Sequence, residues 1–326
     1  MATRNHFFSR PGCGAVVLGL SLFTLQLSRQ ALAEEGGSGH YLPGSMASFV
    51  DGLPLGETVV VRYNLIHYAG SANANLSIPI AGSTAAGLDA DTWAHGLTFL
   101  WRPSVELGDK LSYSMSATVP YVFMDVKASA ATGPIALNLH GKENGLGDIV
   151  LMPLMLNYNV DPDFNLNGRI GIYAPTGDYE VGRLANTGKN FWTVEPTIGA
   201  MYFGQKNGRE ASIFAGVDFN SENHDTNYHS GTSYHIDGTL AQHFPLLNGL
   251  AGIGLSAYTY HQITGDSGDG ANFGDFKGST TGAGPAISYV ASGSNIIAEL
   301  KWLHEFEVRN RLEGDTIFLK VVFKFQ

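Results

Sequence analysis

The sequence predicts an all-β fold, namely a transmembrane antiparallel up-and-down β-barrel of about 12 strands. Three observations predict it: apolar and polar residues alternate along most of the chain, long and short connections alternate, and only 15% of the 326 residues are charged. The stretch 111–123, LSYSMSATVPYVF, places Tyr113 and Tyr121 in one parity and Ser112 and Ser114 in the other. Successive side chains on a strand point to opposite faces, so this strand has one apolar face and one small, polar face.

The first 33 residues have the features of a secretory signal peptide. A basic start with Arg4 and Arg10 precedes the apolar run GCGAVVLGLSLFTLQL, and the sequence ALA ends at Ala33. These features predict cleavage after Ala33. The alternative is an N-terminal membrane anchor, for which the run is short, since a spanning helix needs roughly 20 residues. The only cysteine, Cys13, lies in this segment, so the mature chain has no thiol for a disulfide or a metal.

The charge balance excludes nucleic acid as a partner class. The whole chain has 19 basic and 29 acidic residues and a net charge of −10, and removal of residues 1–33 takes away three arginines and no acid. A nucleic-acid-binding surface needs the opposite sign. The charged fraction is below the roughly 25% of ordinary soluble domains, which indicates that much of the surface does not face water. We therefore expect an exported protein in the outer membrane of a Gram-negative bacterium.

After residue 33 the chain contains twelve segments with strand-like alternation and no apolar run of helix length. Each has roughly the nine to eleven residues, or slightly more, that a tilted strand needs to cross a bilayer. In chain order, the predicted strands are 57–68, 92–102, 111–124, 149–158, 164–174, 190–203, 210–220, 232–244, 249–261, 280–290, 295–306 and 315–325.

The connections between these strands alternate in length. The long links are 69–91, 125–148, 175–189, 221–231 and 262–279, and the short ones lie around 103–110, 159–163, 204–209, 245–248, 291–294 and 307–314. One short link, 307–314, lies at the end of the barrel where the other connections are long. Outer-membrane barrels have long extracellular loops and short periplasmic turns. Residues 207–208 (Asn-Gly) and 161–163 (Asp-Pro-Asp) supply turn residues at the short end.

The two faces of the predicted strands differ in polarity. One face carries apolar side chains such as Ile213 and Ile317, and the other carries charged and amide groups. A soluble β-sandwich alternates as well, but aromatic residues near the strand ends fit the interfacial girdles of a membrane barrel. These aromatic residues are Tyr63, Tyr68, Trp93, Trp101, Tyr121, Trp192, Tyr202 and Trp302. We therefore expect lipid on the apolar face and a polar lumen on the other.

Four stretches of the mature chain carry a resemblance to a known family. They are HYLPGSMASFVDGLP, NGLGDIVLMPLMLNYN, GRIGIYAPTGDYE followed by NTGKNFWTVEPTIGAMYF, and YHSGTSYHIDG. Together they resemble the outer-membrane transporter barrels of the phenol meta-pathway degradation family, and the resemblance covers essentially the whole mature chain. It implies a channel that lets hydrophobic or aromatic compounds cross the outer membrane, and it leaves the substrate open.

Seven residues in these stretches are expected to have structural roles: Gly145, Gly147, Asp148, Pro153, Thr176, Gly177 and Asp178. The glycines at 145 and 147 allow a loop to enter a strand tightly, with Asp148 bonding nearby backbone. Residues 175–178 are expected to form a turn at the extracellular edge, with a ligand-binding loop as the alternative. Pro153 removes a ladder donor inside a strand, which predicts a bulge or a local opening.

Three further prolines, Pro120, Pro196 and Pro285, also fall inside predicted strands. Two interpretations remain open for all of the strand prolines. They either make lateral gaps through which an apolar solute leaves toward lipid, or they are bends without a transport role.

Eight charged residues of the polar parity are candidates for the channel lining and for transport: Arg62, Arg169, Glu195, Asp218, His235, Asp237, Glu299 and Lys301. Lumen charges of both signs either form a satisfied network or tune selectivity. A segment without strand character, residues 34–56, precedes the barrel, which is expected to span 57–326. This segment is either a plug inside the lumen or a periplasmic tail.

An enzymatic function is not expected. Outer-membrane phospholipases use twelve-stranded barrels with a Ser–His pair, but His229 and Ser230 are adjacent, and neighbouring residues of a strand point to opposite faces. His224, Asp225 and His229 share one loop, which we interpret as a mobile polar loop and not as a metal site. We therefore expect no catalytic residue, no metal and no cofactor.

The sequence thus predicts a passive channel for small hydrophobic or aromatic compounds. The alternative from another class is a structural or adhesive barrel that acts through its extracellular loops, and a barrel phospholipase ranks third. The expected partners are outer-membrane lipids, the small solute and the barrel assembly machinery, and nucleic acid is not among them. The last predicted strand, TIFLKVVFKFQ, resembles the C-terminal signal read by that machinery, although Gln326 displaces the aromatic residue from the final position.

Overall fold

The computed structural model describes residues 30–31, 34–52, 59–73, 76–105, 107–132, 135–271, 277–292 and 296–325. The predicted signal peptide lies outside the described residues apart from one two-residue strand. The strands are β1 (Gln30–Ala31), β2 (Val59–Ser71), β3 (Leu76–Ile80), β4 (Ser83–Ala86), β5 (Leu88–Trp101), β6 (Leu111–Thr132), β7 (Ile135–Leu146), β8 (Ile149–Asn159), β9 (Phe164–Ala174), β10 (Thr193–Phe203), β11 (Arg209–Asn220), β12 (Ser233–Leu246), β13 (Gly249–Gln262), β14 (Ser279–Ala291), β15 (Ile296–Arg309) and β16 (Glu313–Phe325). A 3₁₀ turn at Glu35–Gly37 and the short helix α1 (Phe49–Gly52) complete the elements. No helix in these ranges is both long enough and apolar enough to cross a lipid bilayer.

Twelve of these strands form a closed antiparallel barrel, which confirms the predicted fold class. Each strand pairs with its neighbours in the order β2, β5, β6, β8 and then β9 to β16. The ring closes between the first and last strands, where the register runs from Val59 opposite Phe325 to Ser71 opposite Glu313. Closure gives every wall strand two partners, so no wall strand is left as an open edge.

The interior of the barrel is polar and its outer surface is apolar, as the alternation predicts. Outward side chains such as Ile198 and Leu240 are 71% and 68% exposed, whereas Ser112 and Ser114 are buried. Buried inward residues of the polar parity are Asn165, Asn167, Arg169, Asp218, His235, Asp237, Glu299, Lys301, Glu305 and Lys320. The expected girdle position of Tyr68 is wrong, because its hydroxyl points inward and donates a hydrogen bond to Glu305 Oε2 at 3.1 Å.

Two of the predicted long links contain further strands. Within 69–91, β3 and β4 pair as a hairpin and β5 begins at Leu88. Within 125–148, β6 continues to Thr132 and β7 returns along it to Leu146. The expectation of loops was wrong here because these extensions carry charged residues beside the apolar ones. Asp125 lies 2.6 Å from Lys142 Nζ on β7, and cross-strand pairs of this kind stabilise a hairpin.

The strand prolines behave differently from one another. The ladders on both sides of β8 shift register beside Pro153, so the predicted irregularity is present there. The ladders pass Pro120, Pro196 and Pro285 without a register shift at these positions. At Pro120, β6 changes its partner from β8 to β7, and the carbonyl of Pro120 accepts a hydrogen bond from the Gly147 N–H at 3.0 Å. The wall is therefore continuous at these three prolines.

Candidate luminal site

Residues 34–52, called the luminal segment below, lie inside the barrel. The segment runs from the end with the long loops to the end with the short turns. Its apolar side chains pack against inward residues of the wall: Tyr41 and Met46 contact Phe214 and Tyr260, and Phe49 lies in a cluster with Met201 and others. Tyr41 and Phe49 are 2% and 1% exposed. The segment and the apolar inward residues of the wall therefore form small apolar clusters inside a lumen that is polar elsewhere.

Charged wall residues hold the C-terminal end of the luminal segment. The Asp51 carboxylate lies 2.6 Å from Lys320 Nζ and 3.2 Å from Arg62 Nη1. Arg169 donates to the Asp51 carbonyl at 2.7 Å, and Glu210 Oε1 accepts the Phe49 N–H at 2.8 Å. Both signs of charge are thus satisfied by the side chain and the backbone of the same short helix.

The middle of the luminal segment is held by Asp237 and Lys301. Asp237 accepts the Gly44 N–H at 2.7 Å through Oδ1 and the Tyr41 hydroxyl at 2.8 Å through Oδ2. Lys301 Nζ donates to the carbonyls of Gly44 and Met46 at 2.8 and 3.2 Å. These contacts satisfy backbone N–H and C=O groups that have no partner in a helix or strand. A buried backbone group without a hydrogen bond costs free energy, so these contacts stabilise the segment.

Beside this contact lies a compact group formed by Glu195, Asp218 and His235. The imidazole of His235 has Nδ1 2.6 Å from Asp237 Oδ2 and Nε2 3.2 Å from Glu195 Oε1. Asp218 Oδ2 accepts the Ser233 hydroxyl at 3.0 Å. The ring of Tyr41 covers the group by stacking on His235, with 3.5 Å between the ring centroids.

The N-terminal end of the luminal segment is held among the long loops. The Glu34 carboxylate accepts hydrogen bonds from Tyr260 and Arg311. The backbone N–H of Glu34 donates to Asp266 Oδ2 at 2.8 Å. The neighbouring Glu35 carboxylate accepts from the Tyr179 hydroxyl at 3.0 Å. Both glutamates are buried, so their charges are compensated by these donors.

Asp148 connects the luminal segment to the loop that follows β9. Its Oδ2 lies 2.9 Å from His40 Nε2 and accepts the Lys189 N–H at 2.7 Å, and its Oδ1 accepts the Gly177 N–H at 2.8 Å. Burial alone would raise the pKa of the Asp148 carboxyl, but the bonds from His40 and from the two backbone N–H groups hold that pKa below its ordinary value. The carboxylate is therefore ionised and joins three parts of the chain.

The eight predicted lining residues all lie inside the barrel, and five of them contact the luminal segment directly. Arg62, Arg169, Asp237 and Lys301 form hydrogen bonds with it, and His235 stacks on Tyr41. Glu299 lies 3.7 Å from Lys301 Nζ and 3.6 Å from Lys320 Nζ. Glu195, Asp218 and His235 form the group under Tyr41. The structure thus brings the eight together around a piece of the same chain.

The predicted structural residues mostly surround the loop after β9. Thr176 Oγ1 accepts the Ile149 N–H at 2.9 Å, and Asp178 pairs with Arg183 at 2.8 Å. Gly177 and Gly188 approach so closely that a Cβ on Gly177 would lie 2.6 Å from Gly188 Cα. Gly145 lies within β7 and not in a loop, which corrects the expectation. Asp148 bonds backbone as expected, although Gly177 and Lys189 are distant in sequence.

Several residues that hold the luminal segment were not among the predicted site residues. They are Glu34, Tyr41, Asp51, Glu210, His243, Asp266 and Lys320. Glu210 and Lys320 share the inward parity of the eight candidates, and this signal could have identified them. Tyr41 and Asp51 lie in the stretch HYLPGSMASFVDGLP, which carries part of the family resemblance, but this segment has no periodicity, so alternation could not assign them a position in the lumen.

Two cavities of about 300 and 310 Å³ lie between the luminal segment and one side of the wall. They share lining residues, namely His40, Leu42, Ile66, Ala94, Val122, Thr187 and Lys189. This side is formed by β2, β5 and β6. The inward residues of β5 and of β6 up to residue 129 include no charged side chain, in contrast to the strands opposite. The cavities are therefore adjacent and largely apolar in a lumen that is otherwise polar.

Comparisons with known proteins agree with this architecture. The family described as "Putative MetA-pathway of phenol degradation" matches residues 74–321. No curated protein sequence matches the chain significantly. The chain is similar to the COG4313 outer membrane channel from Pseudomonas putida F1, with a TM-score of 0.63, 18% identity, and coverage of 87% of this chain and 100% of that one. It is also similar to the beta domain of the Bordetella autotransporter Brka, with a TM-score of 0.52, 9% identity, and coverage of 82% and 100%. At these identities both likenesses show the barrel fold alone.

Proposed function

We propose, from the premise that the chain belongs to this phenol-degradation family, that it is an outer-membrane channel for passive uptake of small hydrophobic or aromatic compounds. The apolar exterior of the closed barrel supports a position in a lipid bilayer, since an outward apolar band is what a membrane barrel presents to lipid. The mechanism is facilitated diffusion, with no covalent step.

The observation that carries this proposal is the apolar side of the lumen. The two cavities are each large enough for a small aromatic molecule, and binding pockets are typically lined by apolar groups with a few polar ones. Ile66, Ala94 and Val122 supply the apolar lining that the two cavities share. An apolar solute that travels along this side meets the uncharged inward residues of β5 and β6 on one flank, while charged groups such as Arg169 and Glu305 border the cavities on the other.

The luminal segment acts in this proposal as a plug. It fills the polar part of the lumen and leaves the space beside β2, β5 and β6. Ions and sugars would need the space that the segment occupies. The polar solutes are therefore excluded, while a small apolar molecule follows the cavities.

The test is to fill the shared cavity wall. Val122 faces the cavities, whereas Val119 on the same strand is 38% exposed on the outer surface. We expect Val122→Trp to reduce uptake of radiolabelled toluene by a porin-depleted Gram-negative host at least fivefold. Val119→Trp is the matched control and should leave uptake unchanged. Equal uptake by both variants, with both present in the outer membrane, would contradict the proposal.

A further inference from the structure

We propose that Glu195, Asp218 and His235 form a site for one divalent metal ion inside the barrel, with Zn²⁺ as the best match. One ligand atom from each of the three side chains lies within 4.8 Å of the others. All three residues are buried, at 1%, 3% and 0% exposure. One imidazole nitrogen and two carboxylate oxygens are a donor set that Zn²⁺ accepts in proteins.

A second observation at the same place is a carboxylate oxygen without a partner. Asp218 Oδ1 is buried and has no hydrogen-bond partner among the described residues. A buried acceptor of this kind costs free energy, and more so when it carries charge. Native structures seldom retain such an atom unless water or an ion satisfies it. A metal ion bound by this oxygen would remove the cost.

His235 is oriented as metal-binding histidines are. Its Nδ1 faces Asp237 Oδ2 at 2.6 Å, and a carboxylate in this position fixes the ring and leaves the other nitrogen for the metal. The other nitrogen, Nε2, lies 3.2 Å from Glu195 Oε1. Two ligands of a tetrahedral zinc ion, each at about 2.0–2.2 Å, are about 3.3–3.6 Å apart. These two atoms are thus already close to the spacing of two ligands, and only the carboxylate of Asp218 has to approach.

The site is built against the luminal segment. Tyr41 stacks on the His235 ring, and its hydroxyl donates to the same Asp237 oxygen that faces His235 Nδ1. A metal that fixes His235 and Asp237 also fixes the surface on which Tyr41 lies. We therefore expect bound metal to slow hydrogen exchange in the luminal segment at least tenfold. This effect does not depend on which solute the barrel transports.

The experiment measures Zn²⁺ binding by equilibrium dialysis with elemental analysis. In one preparation, the full chain is expressed without a polyhistidine tag, purified from membranes and treated with a chelator. Because the luminal segment covers the site, a second preparation of the full chain is refolded in the presence of Zn²⁺. We expect one tightly bound Zn²⁺ per chain, and at least tenfold weaker binding by Asp218→Asn. X-ray absorption should show a first shell of nitrogen and oxygen atoms.

The control is His140→Gln. His140 and Asp125 form another histidine–carboxylate pair, 2.7 Å apart, away from the luminal segment, and no third ligand-type side chain completes it in the described ranges. This variant should bind Zn²⁺ as the unmodified chain does. If Asp218→Asn does not fold, judged by heat-modifiable migration on gels, His235→Gln replaces it. The proposal is overturned if neither preparation binds stoichiometric Zn²⁺, if Asp218→Asn binds as tightly as the unmodified chain, or if His140→Gln abolishes binding.

Discussion

The carboxylate of Asp51 lies 2.6 Å from Nζ of Lys320, and both groups are buried inside the barrel. The two residues are 269 positions apart, so the contact joins the luminal segment to the last strand of the wall. Arg62 adds a second cation to the same carboxylate at 3.2 Å. In our proposal this group of charges keeps the lumen filled.

The first prediction concerns release of the luminal segment. Asp51→Asn leaves Lys320 and Arg62 without their shared anion, and removal of one partner from a buried ion pair costs about 3–5 kcal/mol. We expect the segment to leave the lumen more often, and planar-bilayer recordings should show larger or more frequent conductance steps. Asp109→Asn, at an exposed position, is the control and should behave as the unmodified chain. Identical recordings for both variants would show that Asp51 does not hold a plug.

The second prediction uses two glycines of the same segment. Gly44 and Gly36 both have positive φ, of 85° and 78°, so an alanine at either costs about 1 kcal/mol in backbone strain. A Cβ on Gly44 would lie 2.4 Å from Leu303 Cδ1, whereas a Cβ on Gly36 meets nothing within 4 Å. Gly44→Ala should therefore cost about 1–3 kcal/mol more, because overpacking adds to the strain.

Hydrogen exchange of the luminal segment distinguishes these two variants. Gly44→Ala should speed exchange of residues 40–48 by roughly tenfold or more, since about 1.4 kcal/mol corresponds to a factor of ten. Gly36→Ala should speed it by less. Equal acceleration in both would mean that the contact with Leu303 does not position the segment.

Much of the barrel could be predicted from the sequence because period-2 alternation is a local property. The predicted strand 164–174 has the same bounds as β9. Its residues alternate between buried and less buried along nearly the whole strand, as the sequence pattern predicts. The inward direction of Asp237 and Lys301 followed from the same parity. What they contact did not follow from it. Tyr41 reaches Asp237 across 196 positions, and such a contact depends on how the luminal segment folds back into the barrel.

The hairpin of β6 and β7 illustrates a different limit. Its residues alternate, but the charged pair Asp125 and Lys142 lies on the face opposite to the buried Val126, so the apolar outward face that marks a membrane strand is lost. A strand that extends beyond the apolar band of the barrel can form with one partner strand and a turn, as β7 does with β6. The search for strands with one apolar face therefore does not detect it.

The third prediction concerns pH. The pKa of Asp148 is lower in the folded chain than its ordinary value of about 3.8, so its bonds stabilise the fold above that pH and are lost as pH falls through the lower, folded value. Asp148→Asn should lower the melting temperature at pH 7, by an amount equivalent to about 2–3 kcal/mol, because hydrogen bonds to a charged group are lost. The difference from the unmodified chain should shrink as pH falls below about 4.

The control for this measurement is Asp178→Asn. Its side chain is 64% exposed, so the bond to Arg183 contributes little to stability. We expect a small change in melting temperature at pH 7. A difference for Asp148→Asn that persists unchanged at pH 3 would show that the ionised carboxylate is not what stabilises the loop.

The fourth prediction concerns the close approach of Gly177 and Gly188. Gly188 N–H donates to the Asp178 carbonyl at 2.9 Å and Gly177 N–H donates to Asp148, so neither backbone segment can move away without breaking a bond. A Cβ on Gly177 would lie 2.6 Å from Gly188 Cα and 3.0 Å from the Gly147 carbonyl carbon, and backbone atoms cannot rotate aside as a side chain can. Gly177→Ala should therefore destabilise the loop by about 1–3 kcal/mol.

The matched variant is Gly168→Ala in β9, where a Cβ meets nothing within 4 Å, and it should leave the melting temperature unchanged or slightly raised. Melting curves and hydrogen exchange of residues 175–192 would measure both effects. Gly177 N–H is one of the donors to Asp148. Gly177→Ala should therefore also make the melting temperature depend less on pH near the pKa of Asp148. If Gly177→Ala melts earlier but keeps the full pH dependence, the close approach to Gly188 stabilises the loop independently of the bond to Asp148.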